Sequence, residues 1–258
     1  MIIVKVQGGL GNQLFQWAYG YSLSKEHEVY FDVSFYYSSE NIGVVVDKRN
    51  LELNKIINTP INFLTQEVVE KLKNKNITII NDNFSYTDIV FDKNEIYFLN
   101  GYWQSEKFFK NHREDILASI QLPAFKDCDF KNSCSLHIRR GDYLNLRDIH
   151  PILPVNYYEK ALEILNPSGN VFIFSDDIEW CKKNITHSNS IFIDGNSNIE
   201  DLAQMSNCKD NIIANSSFSW WGAWLNRNLN KRIICPKEWF GSNNSDDKDI
   251  RPENWVQI

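Results

Sequence analysis

Apolar residues run along this chain in two rhythms, short β-branched runs and longer stretches at helical spacing, and their alternation predicts the fold class. Ile2-Ile3-Val4-Lys5-Val6 has the composition of a buried strand, Leu14, Trp17, Ala18 and Tyr21 follow at helical spacing, and Val29-Tyr30-Phe31-Asp32 predicts a second strand. From residue 35 to about 94 the pattern is irregular and rich in Asn and Lys, with one amphipathic helix over 65–72. Order returns at Ile96-Tyr97-Phe98-Leu99, a strand, and at 108–120, a helix that stops ahead of Pro123.

The second half is more regular. A strand over 133–139 puts Cys134, Leu136 and Ile138 on one face and Ser135, His137 and Arg139 on the other. Asn156 and Glu159 have the spacing of a capping box for a helix carrying Tyr157, Tyr158, Ala161, Leu162 and Leu165 and ending at Asn166-Pro167. The unbroken apolar run 171–174 predicts a central parallel strand that closes on Ser175-Asp176-Asp177. Ile191-Phe192-Ile193-Asp194, Ile212-Ile213-Ala214 and 232–235 predict further strands, with a short helix over 200–205. Another helix starts at Ser216 or Ser217 and holds Trp220, Trp221, Trp224 and Leu225 as core. A polar run over 242–249 then leads to Trp255 and Ile258. With a linker at 123–131, this alternation predicts an α/β fold of two doubly wound domains facing a cleft, over 1–125 and 126–258.

Composition removes several classes of function. A net charge of −6 argues against a nucleic-acid binder, whose affinity rests on distributed positive charge, so any polyphosphate site must be local. The five Cys show no CxxC spacing, which argues against a structural zinc and a disulfide framework and for free thiols in a reducing compartment. Residues 1–6 enter a strand without a basic leader, and nowhere do 18 apolar residues run together. A cytoplasmic protein without a transmembrane segment is expected, and peripheral contact with a membrane is compatible with it.

Candidate chemistry gathers in three places. His137-Ile138-Arg139-Arg140-Gly141-Asp142-Tyr143 leaves a strand with two guanidiniums, whose fixed donors match phosphate oxygens, and Gly141 allows a tight turn after them. Gln7-Gly8-Gly9-Leu10-Gly11-Asn12-Gln13 is a glycine loop ahead of a helix, whose N-terminus favours an anion. With Asp32 it parallels a dinucleotide fingerprint, except that Leu14 stands at the third glycine, and no Gly-Lys-Ser/Thr follows to make a P-loop. Ser216 and Ser217 open a third candidate, a helix N-terminus bearing hydroxyls.

Those motifs, with Phe174-Ser175-Asp176-Asp177 and Ser216-Ser217-Phe218-Ser219-Trp220-Trp221-Gly222, occur in an order in which the chain resembles the α-1,2-fucosyltransferases of glycosyltransferase family 11. The resemblance spans most of the chain and is thinnest over 35–94. It implies a GT-B-like pair of Rossmann-type domains, the first on the acceptor side and the second binding GDP-L-fucose. It also implies inverting transfer of fucose to the 2-hydroxyl of a terminal galactose in a glycan, such as an O-antigen or oligosaccharide, with no cofactor and no metal. By the same resemblance Arg139 stabilises the departing diphosphate beside His137, and Arg140 shares the diphosphate or holds the loop. Asp177 places the nucleoside, and Ser216, Ser217 and Phe218 contact phosphate and base. Gly9, Gly11, Asn12 and Gln13 close on the donor from the first domain, and Asp142 is one of several carboxylates that could serve as base. Two other readings stand beside this one: a nicotinamide-dependent oxidoreductase using Gly9, Gly11 and Asp32, and a non-enzymatic carbohydrate-binding module built on aromatics or on Arg140-Gly141-Asp142.

Overall fold

In the computed structural model, which describes residues 1–37, 49–125, 130–241 and 246–258, the chain builds one unit from Met1–Gln121 and Lys248–Ile250 and a second from Leu122–Asp247 and Arg251–Ile258. The division falls between Gln121 and Leu122, ahead of the linker expected at 123–131, and the return at 248–250 leaves no trace in the hydrophobic pattern. In the first unit Asp249, 6% exposed, accepts the Tyr86 N–H at 2.8 Å and the Lys107 ammonium at 2.6 Å. Cys128 lies outside the described residues; Cys134, Cys181, Cys208 and Cys235 are buried free thiols.

The first unit is a parallel sheet of β1 (Ile2–Lys5), β2 (Val29–Asp32), β3 (Thr78–Asn81) and β4 (Tyr97–Asn100), in the order β2-β1-β4-β3. Parallel neighbours need crossovers, and α1 (Leu10–Leu23) supplies the one from β1 to β2. A Cβ on Gly20 would lie 2.5 Å from the Phe31 ring, so glycine there lets α1 lie close on the sheet. α2 (Leu53–Ile56) and α3 (Gln66–Leu72) follow β2, and Thr65 caps α3 through its side chain. The helix expected over 108–120 is shorter: α4 spans Arg113–Ser119, preceded by 3-10 turns at Glu106–Phe108 and Lys110–His112. Phe108 turns inward there onto Tyr19 and Trp103, at ring separations of 4.6 and 5.5 Å.

The second unit holds β5 (Cys134–Ile138), β6 (Val171–Ser175), β7 (Ser190–Phe192), β8 (Asp210–Ile212), β9 (Ile233–Cys235) and β10 (Val256–Gln257), ordered β10-β9-β8-β5-β6-β7. Every pairing is parallel. The chain winds outward from β5 to β7 and then resumes on the other side of β5 with β8, so winding reverses between β5 and β8. Doubly wound sheets bind ligands at that point, beyond the C-terminal ends of the strands.

The predicted alternation of β5 holds. Cys134, Leu136 and Ile138 join Tyr158, Ala161 and Leu165 of α5 (Val155–Leu165) in one core, while Phe172, Phe174, Met205 and Cys208 with Phe130 form another. The capping box expected at Asn156 and Glu159 is absent, because α5 starts two residues earlier, with Pro154 at its N-cap and no side-chain bond. A true box lies at Ser197 and Glu200, at the head of α7 (Asn198–Asn207). Asp177 caps α6 (Ile178–Asn184) by accepting the Trp180 N–H. The tryptophans of α8 (Ser217–Trp224) are core as expected: Trp220, Trp221 and Trp224 are 0, 0 and 2% exposed.

Candidate functional site

β5 delivers His137 and Arg139 to the reversal point of the second sheet. His137 is 5% exposed, its ring centroid lies 5.7 Å from that of Phe218, and its Nδ1 has no hydrogen-bond partner among the described residues. Burial, with the Arg139 charge adding to it, holds the imidazole down at about 3. At neutral pH His137 is therefore an uncharged group that can donate or accept a hydrogen bond but adds no charge to the site.

Arg139 is held between two carboxylates. Its Nη2 meets Asp142 Oδ1 at 2.5 Å, its Nη1 meets Asp176 Oδ2 at 2.8 Å, and its guanidinium carbon stands 5.3 Å from the centre of the Tyr143 ring. Asp176 uses its other oxygen on the Arg140 backbone N–H at 2.9 Å, which pins the turn that follows β5. Gly141 is required beside it, since a Cβ there would lie 2.5 Å from Asp176 Oδ2. Arg140 points elsewhere, with Nε 3.0 Å from Asp177 Oδ2 and its guanidinium 3.9 Å from the Trp180 ring centre. The divergence expected from the strand's alternation is thus realised, and Asp177 is spent on Arg140 and on capping α6. Asp142, a candidate base, is the counter-ion of Arg139.

The facing wall is the link from β8 to α8. Ser216 is the N-cap, but its hydroxyl makes no capping bond, so the first-turn amides of α8 are not satisfied by it. Tyr143 joins the two walls: its hydroxyl donates to the Asn215 carbonyl at 3.0 Å. Asn215 donates from Nδ2 to the carbonyls of Pro151 and Trp239 at 2.9 and 3.1 Å. His150, which no spacing in the sequence singles out, stacks on Tyr143 with centroids 4.6 Å apart and planes at 12°. Its imidazole is pushed below its ordinary value, chiefly by burial; Asp142 opposes this and Arg139 reinforces it. The second unit thus collects His137, Arg139, Asp142, Ser216, Ser217 and Phe218 around one sheet edge, backed by Asp176, Tyr143 and His150.

In the first unit α1 starts inside the expected glycine loop. Gly9 is its N-cap, Gly8 has φ +82°, and Gly11, Asn12 and Gln13 form the first turn. A Cβ on Gly9 would meet nothing within 4 Å, which leaves room for a ligand against that backbone. Gln13 is used otherwise than expected. It is fully buried, donates from Nε2 to the carbonyls of Gly8 and Asn50 at 3.1 and 2.8 Å, and accepts the Glu52 N–H at 2.9 Å. It therefore ties the loop to the chain ahead of α2 and has no polar group turned outward. Asp32 accepts the Ser34 N–H at 2.9 Å.

The family model described as glycosyl transferase family 11 matches residues 1–258. The chain is 34% identical to an alpha-1,2-colitosyltransferase of Escherichia coli over 292 residues, covering 100% of this chain and 99% of that protein. It is 30% identical to the O-antigen biosynthesis glycosyltransferase WbnK of Escherichia coli, covering 98% and 99%. A shorter match, 34% identical over 35% of this chain and 27% of the other, joins it to the galactoside 2-alpha-L-fucosyltransferase Sec1 of Mus musculus. Among solved structures, the fucosyltransferase NodZ from Bradyrhizobium superposes with a TM-score of 0.55 at 11% identity, covering 86% of this chain and 91% of that one. A NodZ crystal soaked with GDP-fucose superposes with a TM-score of 0.53 at 11% identity, covering 92% and 94%. At such identity the likeness concerns the fold, which is GT-B-like as expected.

Proposed function

Because the chain belongs to glycosyl transferase family 11, we propose that it moves L-fucose from GDP-L-fucose to the 2-hydroxyl of a terminal galactose-type residue in a glycan, such as an O-antigen or oligosaccharide, with inversion at the anomeric carbon. The observation that carries this reading is Arg139, 20% exposed and oriented by carboxylates on two sides at the reversal point of the second sheet. In a single displacement the acceptor oxygen forms a bond to fucose C1 as the bond from C1 to the β-phosphate oxygen breaks, and the bonding pair leaves with GDP. Charge then grows on the diphosphate, where a guanidinium placed beforehand stabilises the transition state more than the ground state. Arg has five N–H groups, so the carboxylate contacts leave donors for phosphate oxygens.

His137 adds a neutral hydrogen bond, Phe218 an aromatic face for the base, and the α8 N-terminus a favourable dipole. A carboxylate neutralised by a guanidinium is a weak base. Asp142 therefore serves chiefly to hold Arg139, and the acceptor proton passes late to the departing phosphate or to water. In this reading the second unit binds the donor, the first unit is the acceptor side, and the protein works in the cytoplasm without metal or cofactor. The alpha-1,2 linkage of the colitosyltransferase relative and the galactoside acceptor of the Mus musculus fucosyltransferase support the linkage and the acceptor class.

Purified protein given GDP-fucose, a β-galactoside and excess EDTA should release GDP and form a 2-linked fucosyl product, identified by NMR. Absence of GDP release with every β-galactoside refutes the reading. The full-length colitosyltransferase relative favours a second donor. Colitose is fucose without the 3-hydroxyl, so the ratio of kcat/KM for the two GDP-sugars decides which sugar is transferred.

A further inference from the structure

In the first unit β1 and β4 are parallel neighbours, and the segments that follow those strands are stitched together by carboxamides. Gln16 is fully buried and spends both ends of its side chain: Nε2 donates to the Gly101 carbonyl at 2.9 Å and Oε1 accepts the Gln7 N–H at 3.0 Å. Gln104 differs. Its Nε2 donates to Asn12 Oδ1 at 2.8 Å, while its Oε1 is buried without a partner among the described residues.

The backbone that carries Gln104 is held in an unusual shape. Trp103 has φ +55°, a left-handed conformation that strains a residue carrying a side chain. Asp82 Oδ2 fixes it by accepting the N–H groups of Tyr102 and Trp103 at 3.1 and 2.9 Å, and the Trp103 ring is anchored 5.3 Å from Tyr19. The result is that Gln104, 9% exposed, is brought to the first turn of α1.

We infer that Gln104 is a positioning residue for Asn12, and that its hydrogen bond decides which end of the Asn12 carboxamide meets the sugar nucleotide. The inference rests on the donor reading above. With Oδ1 held by Gln104, Asn12 keeps its Nδ2 donors for a ligand oxygen, and Nδ2 makes no hydrogen bond among the described residues. The would-be Cβ of Gly8 lies 2.7 Å from that nitrogen, so the side chain fits only because residue 8 is glycine. A carboxamide turned end for end puts an acceptor where a donor stood, so fixing its sense decides between attraction and repulsion toward a phosphate or sugar oxygen.

Gln104→Glu tests this, because a carboxylate only accepts. Asn12 must then offer Nδ2 to it and turn Oδ1 toward the ligand, so that oxygen faces oxygen. Expected is a fall of about 10- to 100-fold in kcat/KM for GDP-fucose with a melting temperature close to the parent's. Asn12→Ala should lose as much or more, and adding Gln104→Glu to it should cost nothing further, since the residue acts only through Asn12. Gln104→Met, which lets Asn12 turn freely, should lose less than Gln104→Glu and replaces it in the cycle if that variant does not fold. Parent-like kcat/KM in Gln104→Glu, or losses that multiply in the double variant, overturns the inference alone. A parent that releases no GDP from GDP-fucose refutes the donor reading and this inference with it.

Discussion

Replacing Arg139 by alanine removes a guanidinium from between two carboxylates, and its cost divides into a stability part and a catalytic part. The Asp142 and Asp176 oxygens that the guanidinium bridges stand roughly 5 Å apart by the reach of the fork, and at an effective dielectric of about 20 two unit charges at that distance repel by about 3 kcal/mol. The carboxylates are 17 and 26% exposed, so solvent screens part of this, and about 1–2 kcal/mol should remain as lost stability. Turnover should fall about 100- to 1,000-fold if Arg139 offsets leaving-group charge, the range for deleting one such donor. Urea melts read the first quantity and steady-state GDP release the second. Asp176→Asn added to Arg139→Ala should restore stability, since it removes one of the repelling charges, and should not restore turnover. An Arg139→Ala protein that melts like the parent, or one that Asp176→Asn destabilises further, refutes the electrostatic account of the clamp. Turnover within tenfold of the parent refutes the catalytic assignment.

Gly141→Ala should act on the same clamp from the backbone: a Cβ 2.5 Å from Asp176 Oδ2 forces that carboxylate off the Arg140 N–H. A loss of about 1–3 kcal/mol in thermal stability together with at least tenfold lower GDP release is expected, and unchanged GDP release would show that Asp176 does not orient Arg139. His137 should make stability depend on pH. Its folded value of about 3 lies below the ordinary 6.5, so its full contribution is present above 6.5 and is lost as pH falls toward 3. The slope there is up to about 1.4 kcal/mol per pH unit, because the unfolded chain takes a proton that the folded one does not. Since His150 shifts in the same direction, the quantity to measure is the difference between parent and His137→Phe in urea midpoint at pH 7 and pH 4.5. An identical pH response in the two proteins rules His137 out as its source.

Much of the second unit was legible in the sequence because β5, β6, β8 and β9 are buried on both faces and read as unbroken or cleanly alternating apolar runs. His137, Asp176 and Ser216 each lie at or near the C-terminal end of a predicted strand, which with the family resemblance let one site be expected there. The first unit yielded less. β3 is an edge strand whose Ile79 is 62% exposed, so its four residues carry no burial pattern. α6 was missed since a seven-residue helix with only Cys181 buried shows little periodicity. The misplaced capping box shows the limit of spacing alone. Asn156 and Glu159 have the right interval, but Pro154 had already started the helix, while Ser197 and Glu200 have the same interval and form the bonds. Gln13 is expected in a ligand loop through the resemblance of the glycine loop to the family's. Only the folded chain brings Asn50 and Glu52 to it. The pairing of Gln104 with Asn12 spans 92 positions and has no local signature.

Asp249 places a condition on the order in which the protein can be made. A ribosome releases residues 1–121 long before residue 249, so during synthesis the first unit emerges lacking the carboxylate that receives its Tyr86 N–H and Lys107 ammonium. That unit reaches its final hydrogen bonding only after nearly the whole of the second has been translated. Its completion waits on residues translated after most of the second unit, and Asp249 acts as a latch on a part made well before it.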